Sequence, residues 1–368
     1  VWRRTRERAA HGRPTTIGRI LVNTRALRYA TAIAALPLLA SSAFAQTLDV
    51  PAKTLAVPQT VSPQIQKVIA LPLRNGWNVL PKTGEEWKPI ADAGAEPTIK
   101  ALPGLLERMA VKVEKSVIDG ARVFIVTPAT IAPANANRVV IHMHGGCYVL
   151  NPREAGLPEA VMMAGFGQIK VIAVEYRMPP EAYFPAALDD GMTVYRNALK
   201  STAAKNIGLI GTSAGGALVL EMGLRAKQLN LPMPGAIASG TPMSDVTKVG
   251  DTFYTNELVD NVLVSRDGFC DAGAKVYANG HDMKDPLLSP VYGDYAGFAP
   301  TILTSGTRDL LLSNTVRVHR KLRDAGVESF LQVFEGQSHA HYLRDDSAPE
   351  TKAAFAEISG FFDKHLGK

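Results

Sequence analysis

At 368 residues, 46% of them hydrophobic and 20% charged, the chain has enough apolar matter for a sizeable core, which excludes global disorder. The formal net charge of +6 suggests a polyanion binder until it is located. Residues 1–45 hold eight arginines, no lysine and a single acid, Glu7, so the rest of the chain is close to neutral and no nucleic-acid partner is expected.

That first segment has the order of a leader. Arg25 and Arg28 precede an apolar run over residues 30–39, followed by Ser41-Ser42-Ala43-Phe44-Ala45. The A-x-A pattern predicts a signal peptide cleaved after Ala45, a mature start at Gln46, and a periplasmic or secreted protein. The run is short for a membrane span and Pro37 interrupts it, so no stable membrane anchor is expected. From Val22 the segment has ordinary signal-peptide proportions, which points to a misassigned start for residues 1–21.

Residues 46–110 are rich in Pro, Ala and polar residues and carry Trp77 and Trp87. Amphipathic stretches at 62–71 and 98–109 predict short helices joined by proline breaks, lying over a core rather than forming one. Residues 111–117 and 121–126 then read as strands around an Asp119-Gly120 hairpin turn. Strongly buried strands follow at 138–143 and 169–174, with helical segments at 154–165 and 184–199. The apolar run 207–210 predicts a buried strand entering Gly211-Thr212-Ser213-Ala214-Gly215-Gly216, with a helix behind it from Ala217. Residues 236–239 read as the next strand, and 241–283 interrupt with loop and helix. Strand 301–305, helix 314–325, strand 329–334 and helix 351–365 complete the chain. This alternation predicts an α/β fold: a mostly parallel sheet with helices on both faces.

Strand, G-x-S-x-G, helix is the context of a nucleophile elbow, in which a tight turn lifts the Ser213 hydroxyl clear of the sheet. A serine hydroxyl needs a base to take its proton, and the base needs an acid to orient it. Gly306-Thr307-Arg308-Asp309 follows strand 301–305, and Glu335-Gly336-Gln337-Ser338-His339 follows strand 329–334. Both lie past carboxyl ends of strands, where sites in open α/β sheets form. Asp309 is expected to hold the imidazole and His339 to carry the proton. His281 and His319 are poorly placed, and His341 is the minor rival. His144-Gly145-Gly146-Cys147 follows strand 138–143. The backbone N–H groups of Gly145, Gly146 and Ala214 would stabilise an oxyanion. A dinucleotide site is excluded, because residues 208–216 read G-x-x-G-x-x-x-G-G rather than G-x-G-x-x-G. Two cysteines make no disulfide scaffold, and no C-x-x-C or histidine cluster suggests a metal. Export would permit a single bridge between Cys147 and Cys270, which nothing in the sequence establishes, and two unpaired, buried thiols are the favoured expectation, with Cys147 a packing residue.

Six stretches together resemble the bacterial hormone-sensitive-lipase-like family of α/β-hydrolase esterases. They are His144-Gly145-Gly146, Tyr176-Arg177-Met178-Pro179-Pro180-Glu181, residues 184–190, Gly211-Thr212-Ser213-Ala214-Gly215-Gly216, Asp285-Pro286-Leu287-Leu288-Ser289-Pro290, and Gly306-Thr307-Arg308-Asp309. Thr212 matches the branch with threonine before the nucleophile. The resemblance implies Ser213, Asp309 and His339 as the triad, with Gly145, Gly146 and Ala214 as the oxyanion hole. It also implies a catalytic domain over residues 111–368 and a helical cap built from residues 46–110 plus an insertion at about 241–265. Glu175 stands where the family has aspartate, and it is expected to pair structurally with Arg177.

The activity so implied is serine carboxylic-ester hydrolysis on short or medium-chain esters, with no cofactor and no metal. A lactone hydrolase would share every residue named. An amidase or exopeptidase with the same triad, a non-catalytic binding protein on the same fold, and a homodimer all remain open.

Overall fold

The computed structural model describes residue 48 and residues 50–368. The leader and the cleavage site after Ala45 lie outside the described residues. No helix among the described residues is long and apolar enough to cross a membrane.

Two helices come first, α1 (Pro63–Ile69) and α2 (Gly84–Met109). Ser62 caps α1, and both its N–H and its hydroxyl donate to the Glu350 carboxylate at 2.7 Å, fastening the segment to the C-terminal helix. The expectation of short helices broken at prolines is corrected for α2. It runs 26 residues without interruption through Pro89, Pro97 and Pro103. Each proline forfeits a backbone hydrogen bond. Against that, Trp87, Ala91, Ala95 and Leu102 bury one continuous face, so tertiary packing overrides local propensity.

An antiparallel hairpin follows, β1 (Val111–Ile118) and β2 (Ala121–Pro128), turning on Asp119 and Gly120. Both turn residues have positive φ (47° and 91°), which suits the twist of a two-residue hairpin loop. Then come β3 (Val139–Met143), α3 (Pro158–Gly167), β4 (Val171–Val174), α4 (Ala186–Ala198), β5 (Ile207–Thr212), α5 (Ala214–Gln228) and β6 (Ala236–Gly240). The connection to β7 (Thr301–Gly306) holds two short helices, α6 (Thr252–Thr255) and α7 (Phe269–Ala278). Helix α8 (Leu312–Asp324), β8 (Ser329–Phe334) and α9 (Pro349–His365) end the fold.

The eight strands form one sheet in the order β1-β2-β4-β3-β5-β6-β7-β8. Only the pairings of β2 with β1 and β4 are antiparallel; the rest are parallel. Every residue of β3, β5, β6 and β7 is buried, as strands covered on both faces require. Because β3, β5, β7 and β8 run in one direction, the segments after them emerge at one rim. That rim receives Gly145, Ser213, Asp309 and His339.

The two cysteines are not free thiols. Cys147 and Cys270 form a disulfide, with Cα atoms 5.1 Å apart. Their separation of 123 positions hid the pairing. They meet because the start of α7 packs on the loop after β3, where a Cβ on Gly273 would lie 2.9 Å from the Cys147 carbonyl oxygen. Closing so long a loop restricts the unfolded chain, so Cys147→Ser with Cys270→Ser is expected to cost about 2–4 kcal/mol in urea unfolding. Unchanged stability would contradict the bridge.

Candidate active site

Ser213 sits between β5 and α5 with φ 65° and ψ −123°, a strained conformation for a residue with a side chain. Its N–H donates to the Gly240 carbonyl at 2.8 Å, and its own carbonyl accepts from Ala217 and Met243 at 3.0 Å each. The flanking glycines are required by space. A Cβ on Gly215 would fall on the Met143 carbonyl oxygen, and one on Gly211 would lie 2.5 Å from the same atom.

The acid and histidine loops are built against each other. A Cβ on Gly306 would strike the Gln337 carbonyl, the Arg308 N–H donates to that carbonyl at 3.0 Å, and the Thr307 hydroxyl accepts the Gly336 N–H at 2.8 Å. Asp309 is buried, with Oδ2 accepting from the Ser305 hydroxyl at 2.7 Å and Oδ1 accepting from the Leu311 N–H at 2.9 Å. Oδ1 also lies 3.1 Å from His339 Nδ1. A carboxylate acceptor there makes Nδ1 the protonated nitrogen, leaving Nε2 with its lone pair. Nε2 has no hydrogen-bond partner among the described residues. His339 and Ser213 both line one cavity of about 640 Å³, walled also by Val68, Leu71, Leu263 and Phe269.

The loop after β3 lies in the same cavity. The Gly145 carbonyl accepts from His144 Nδ1 at 2.8 Å and from Asn151 Nδ2 at 3.0 Å. Across a trans peptide the Gly146 N–H must point the opposite way from that carbonyl. Among the described residues none of the N–H groups of Gly145, Gly146 and Ala214 donates a hydrogen bond. Glycine is needed at 146, where φ is 126° and a Cβ would lie 2.5 Å from the Leu150 carbonyl oxygen. His144 stacks on Tyr176 at 4.1 Å, the Tyr176 hydroxyl donates to the His144 carbonyl, and burial pushes the His144 imidazole down to about 4. It is a neutral structural group.

The rival histidines are otherwise engaged. His341 accepts the Ser338 N–H at Nδ1 and donates from Nε2 to Asn261 at 2.8 Å, with its pKa lowered to about 3 chiefly by burial. His319 pairs with the Ser329 hydroxyl and His281 with Asp285. The expected pairing of Glu175 with Arg177 is not formed. Arg177 lies against Asp190 at 2.7 Å, and Glu175 approaches Arg122 at 4.0 Å. A side chain two residues along a chain that is leaving the sheet faces elsewhere, and α4 offers its own carboxylate.

Sequence reasoning missed Asp260 and Asn261, which belong to no motif. Asp260 Oδ1 accepts the Val262 and Leu263 N–H groups, and Oδ2 accepts those of Leu310 (2.8 Å) and His339 (3.3 Å). Asn261 donates to the carbonyls of Val68 (3.0 Å) and Leu71 (3.1 Å), holding the end of α1 against the histidine loop. Burial, then the like charge of Asp309, raises the Asp260 pKa from 3.8 to about 6. A raised carboxyl pKa means the folded protein binds the proton first. Wild-type stability should therefore gain an increment as pH falls through 6 toward 3.8, an increment absent from Asp260→Asn. The amide would also turn its NH₂ on two N–H donors, and kcat should fall about tenfold. Parallel urea titrations of the two proteins across that pH range, with kcat measured beside them, check both points.

Residues 140–343 match the family model described as alpha/beta hydrolase fold. An esterase of Acinetobacter venetianus is 30% identical over 233 residues, covering 62% of this chain and 76% of that protein. An acetyl-hydrolase of Streptomyces hygroscopicus is 26% identical, covering 64% and 79%. The crystal structure of an esterase E25 superposes with a TM-score of 0.84 at 41% identity, over 87% of this chain and 99% of that one. A crystal structure of an esterase from the bacterial hormone-sensitive lipase family gives a TM-score of 0.70 at 25% identity, over 83% and 99%.

Proposed function

This chain belongs to the alpha/beta-hydrolase fold family, among its bacterial hormone-sensitive-lipase-like esterases, and we propose that its serine ester hydrolysis runs through Ser213, His339 and Asp309. It is a carboxylesterase-like hydrolase. Ser213 Oγ attacks the ester carbonyl while His339 Nε2 takes its proton. The N–H groups of Gly145, Gly146 and Ala214 receive the oxyanion, and Asp309 steadies the imidazolium. His339 then returns the proton to the leaving alkoxide, and water repeats the sequence on the acyl-enzyme.

Supporting this reading above all is the state of His339: Nδ1 is fastened to a buried carboxylate, and Nε2 is unpartnered in the cavity that Ser213 lines. A fluorophosphonate probe should label the folded protein on the peptide holding Ser213 and abolish hydrolysis of p-nitrophenyl butyrate. Unlabelled, folded protein would overturn the assignment. Equal turnover of ε-lactones in the same assay would widen the substrate class to cyclic esters.

Residues 63–109 together with the segment around 260–270 are read as a cap over this cavity, on the ground that both contribute to its wall. Export with cleavage after Ala45 is supported by the A-x-A pattern and by the Cys147–Cys270 disulfide, a bond that persists in oxidising compartments. Mass spectrometry of the cellular protein should find Gln46 as its first residue.

A further inference from the structure

Arg74 and Arg344 are the only lysine or arginine side chains among the described residues lining the cavity, and Glu159 is the only acid. Glu159 is committed elsewhere, its two oxygens at 2.5 Å from the Thr212 hydroxyl and 3.0 Å from His142 Nε2. The two guanidiniums are not committed. Among the described residues neither makes a hydrogen bond or an ion pair through its side chain, although Arg74 stacks over the Phe269 ring at 4.2 Å. The backbone brings them to one side of the cavity. The Arg74 N–H donates to the Asn261 carbonyl at 2.9 Å, and the Asn261 side chain accepts from His341, three residues before Arg344.

Such placement leaves two like charges side by side with no ion pair on either among the described residues. Both side chains are exposed at the cavity wall, yet the protein around them displaces enough water to lower both pKa values. Their proximity lowers that of Arg74 further, while the carboxylate of Asp260 favours the charged form of Arg344. Two cations against one nearby carboxylate leave an excess of one positive charge, the complement of a monoanion. Arginine's planar fork of donors suits a carboxylate in particular.

We propose that the ester taken by this cavity carries a second, ionised carboxyl group, bound by the guanidiniums of Arg74 and Arg344. This rests on the Ser213 mechanism above and narrows its substrate class to half-esters of dicarboxylic acids or acyl esters of hydroxy acids. The scissile carbonyl goes to Ser213 and the free carboxylate goes to the arginines. An apolar stretch of substrate between them meets Val68, Leu71, Leu263 and Phe269.

The test is a ratio. Monoethyl esters of the dicarboxylic acids from succinic to suberic are compared with their terminal-amide isosteres, and O-acetyl hydroxy acids of matching length with theirs. Isosteric amides remove the charge and keep the shape. In at least one series kcat/KM for the carboxylate should exceed that for the amide by about tenfold or more, mainly through KM. Arg344→Gln and Arg74→Gln should each pull the ratio toward one. A ratio within a single variant is independent of how much of that variant folds. Wild-type ratios at or below one in both series would overturn the proposal. Ser213→Ala assayed on the amide esters separates the two failures. Ser213-dependent turnover without charge preference sinks only the carboxylate site, whereas turnover surviving Ser213→Ala sinks the mechanism beneath it.

Discussion

Ser213→Ala is expected to lower kcat by about a million-fold while the protein stays folded. The fold should tolerate the change because Ser213 is held through its backbone. Its N–H donates to Gly240, and its carbonyl accepts from Ala217 and Met243. None of these contacts involves the hydroxyl. The backbone at φ 65° and ψ −123° remains strained in alanine, since the Cβ is still there. Glycine would relieve it. Ser213→Gly should therefore be as inactive as Ser213→Ala and more stable by about 1 kcal/mol. Steady-state kinetics read the first effect and urea unfolding of the two variants the second. If the glycine variant were the less stable of the two, the strained elbow would be the wrong account of this turn. If the alanine variant kept substantial activity, the nucleophile would be misassigned.

Most of the sheet and the rim were legible because their signals are local. Strands β3, β5, β6 and β7 are short apolar runs, and the turns after them are named by the glycines that close backbone contact demands. Gly215 under Met143 and Gly306 under Gln337 are such contacts. Asp309 and His339 stand out because each follows a strand of the expected direction, and position in a parallel sheet sets the rim.

Features that depend on what packs against what were not legible. Helix α2 reads as broken because three prolines are visible, and the buried face that outweighs them is a property of its neighbours. Cys147 and Cys270 are joined although they lie 123 positions apart, with no spacing rule to announce it. Asp260 lies in a connection without motif, and nothing in Val259-Asp260-Asn261 reveals that its carboxylate gathers four N–H groups from three loops. The arginines of the cavity, 270 positions apart, look like ordinary surface charges until the fold sets them in one wall.

The second large effect concerns Asp309→Asn, for which an about 10³-fold loss of kcat is expected, smaller than the about 10⁴-fold loss that follows when the amide turns its NH₂ on the histidine and forces the wrong tautomer. The reason lies in the partners of Asp309. Its Oδ1 serves both the Leu311 N–H and His339 Nδ1, whereas Oδ2 meets only the Ser305 hydroxyl. An asparagine amide satisfies this arrangement in one orientation: carbonyl toward Leu311 and His339, NH₂ toward Ser305, whose hydroxyl rotates from donor to acceptor. The productive tautomer of His339 survives, and what is lost is the negative charge facing the imidazolium. Ser305→Val would disturb this. In the Asp309→Asn background it removes the acceptor that fixes the amide, so the orientation is no longer enforced and the loss should deepen toward 10⁴-fold. In the wild-type background the same change removes one neutral donor but keeps the charge and the tautomer, and should cost only about twofold. Independent effects would therefore leave the double variant at about 2 × 10³-fold, well short of about 10⁴-fold. Kinetics of the two single variants and the double variant read the coupling between positions 305 and 309 directly. Strict additivity would mean that Ser305 does not orient the amide, and a loss of 10⁴-fold already in Asp309→Asn alone would mean that the amide lies the other way round.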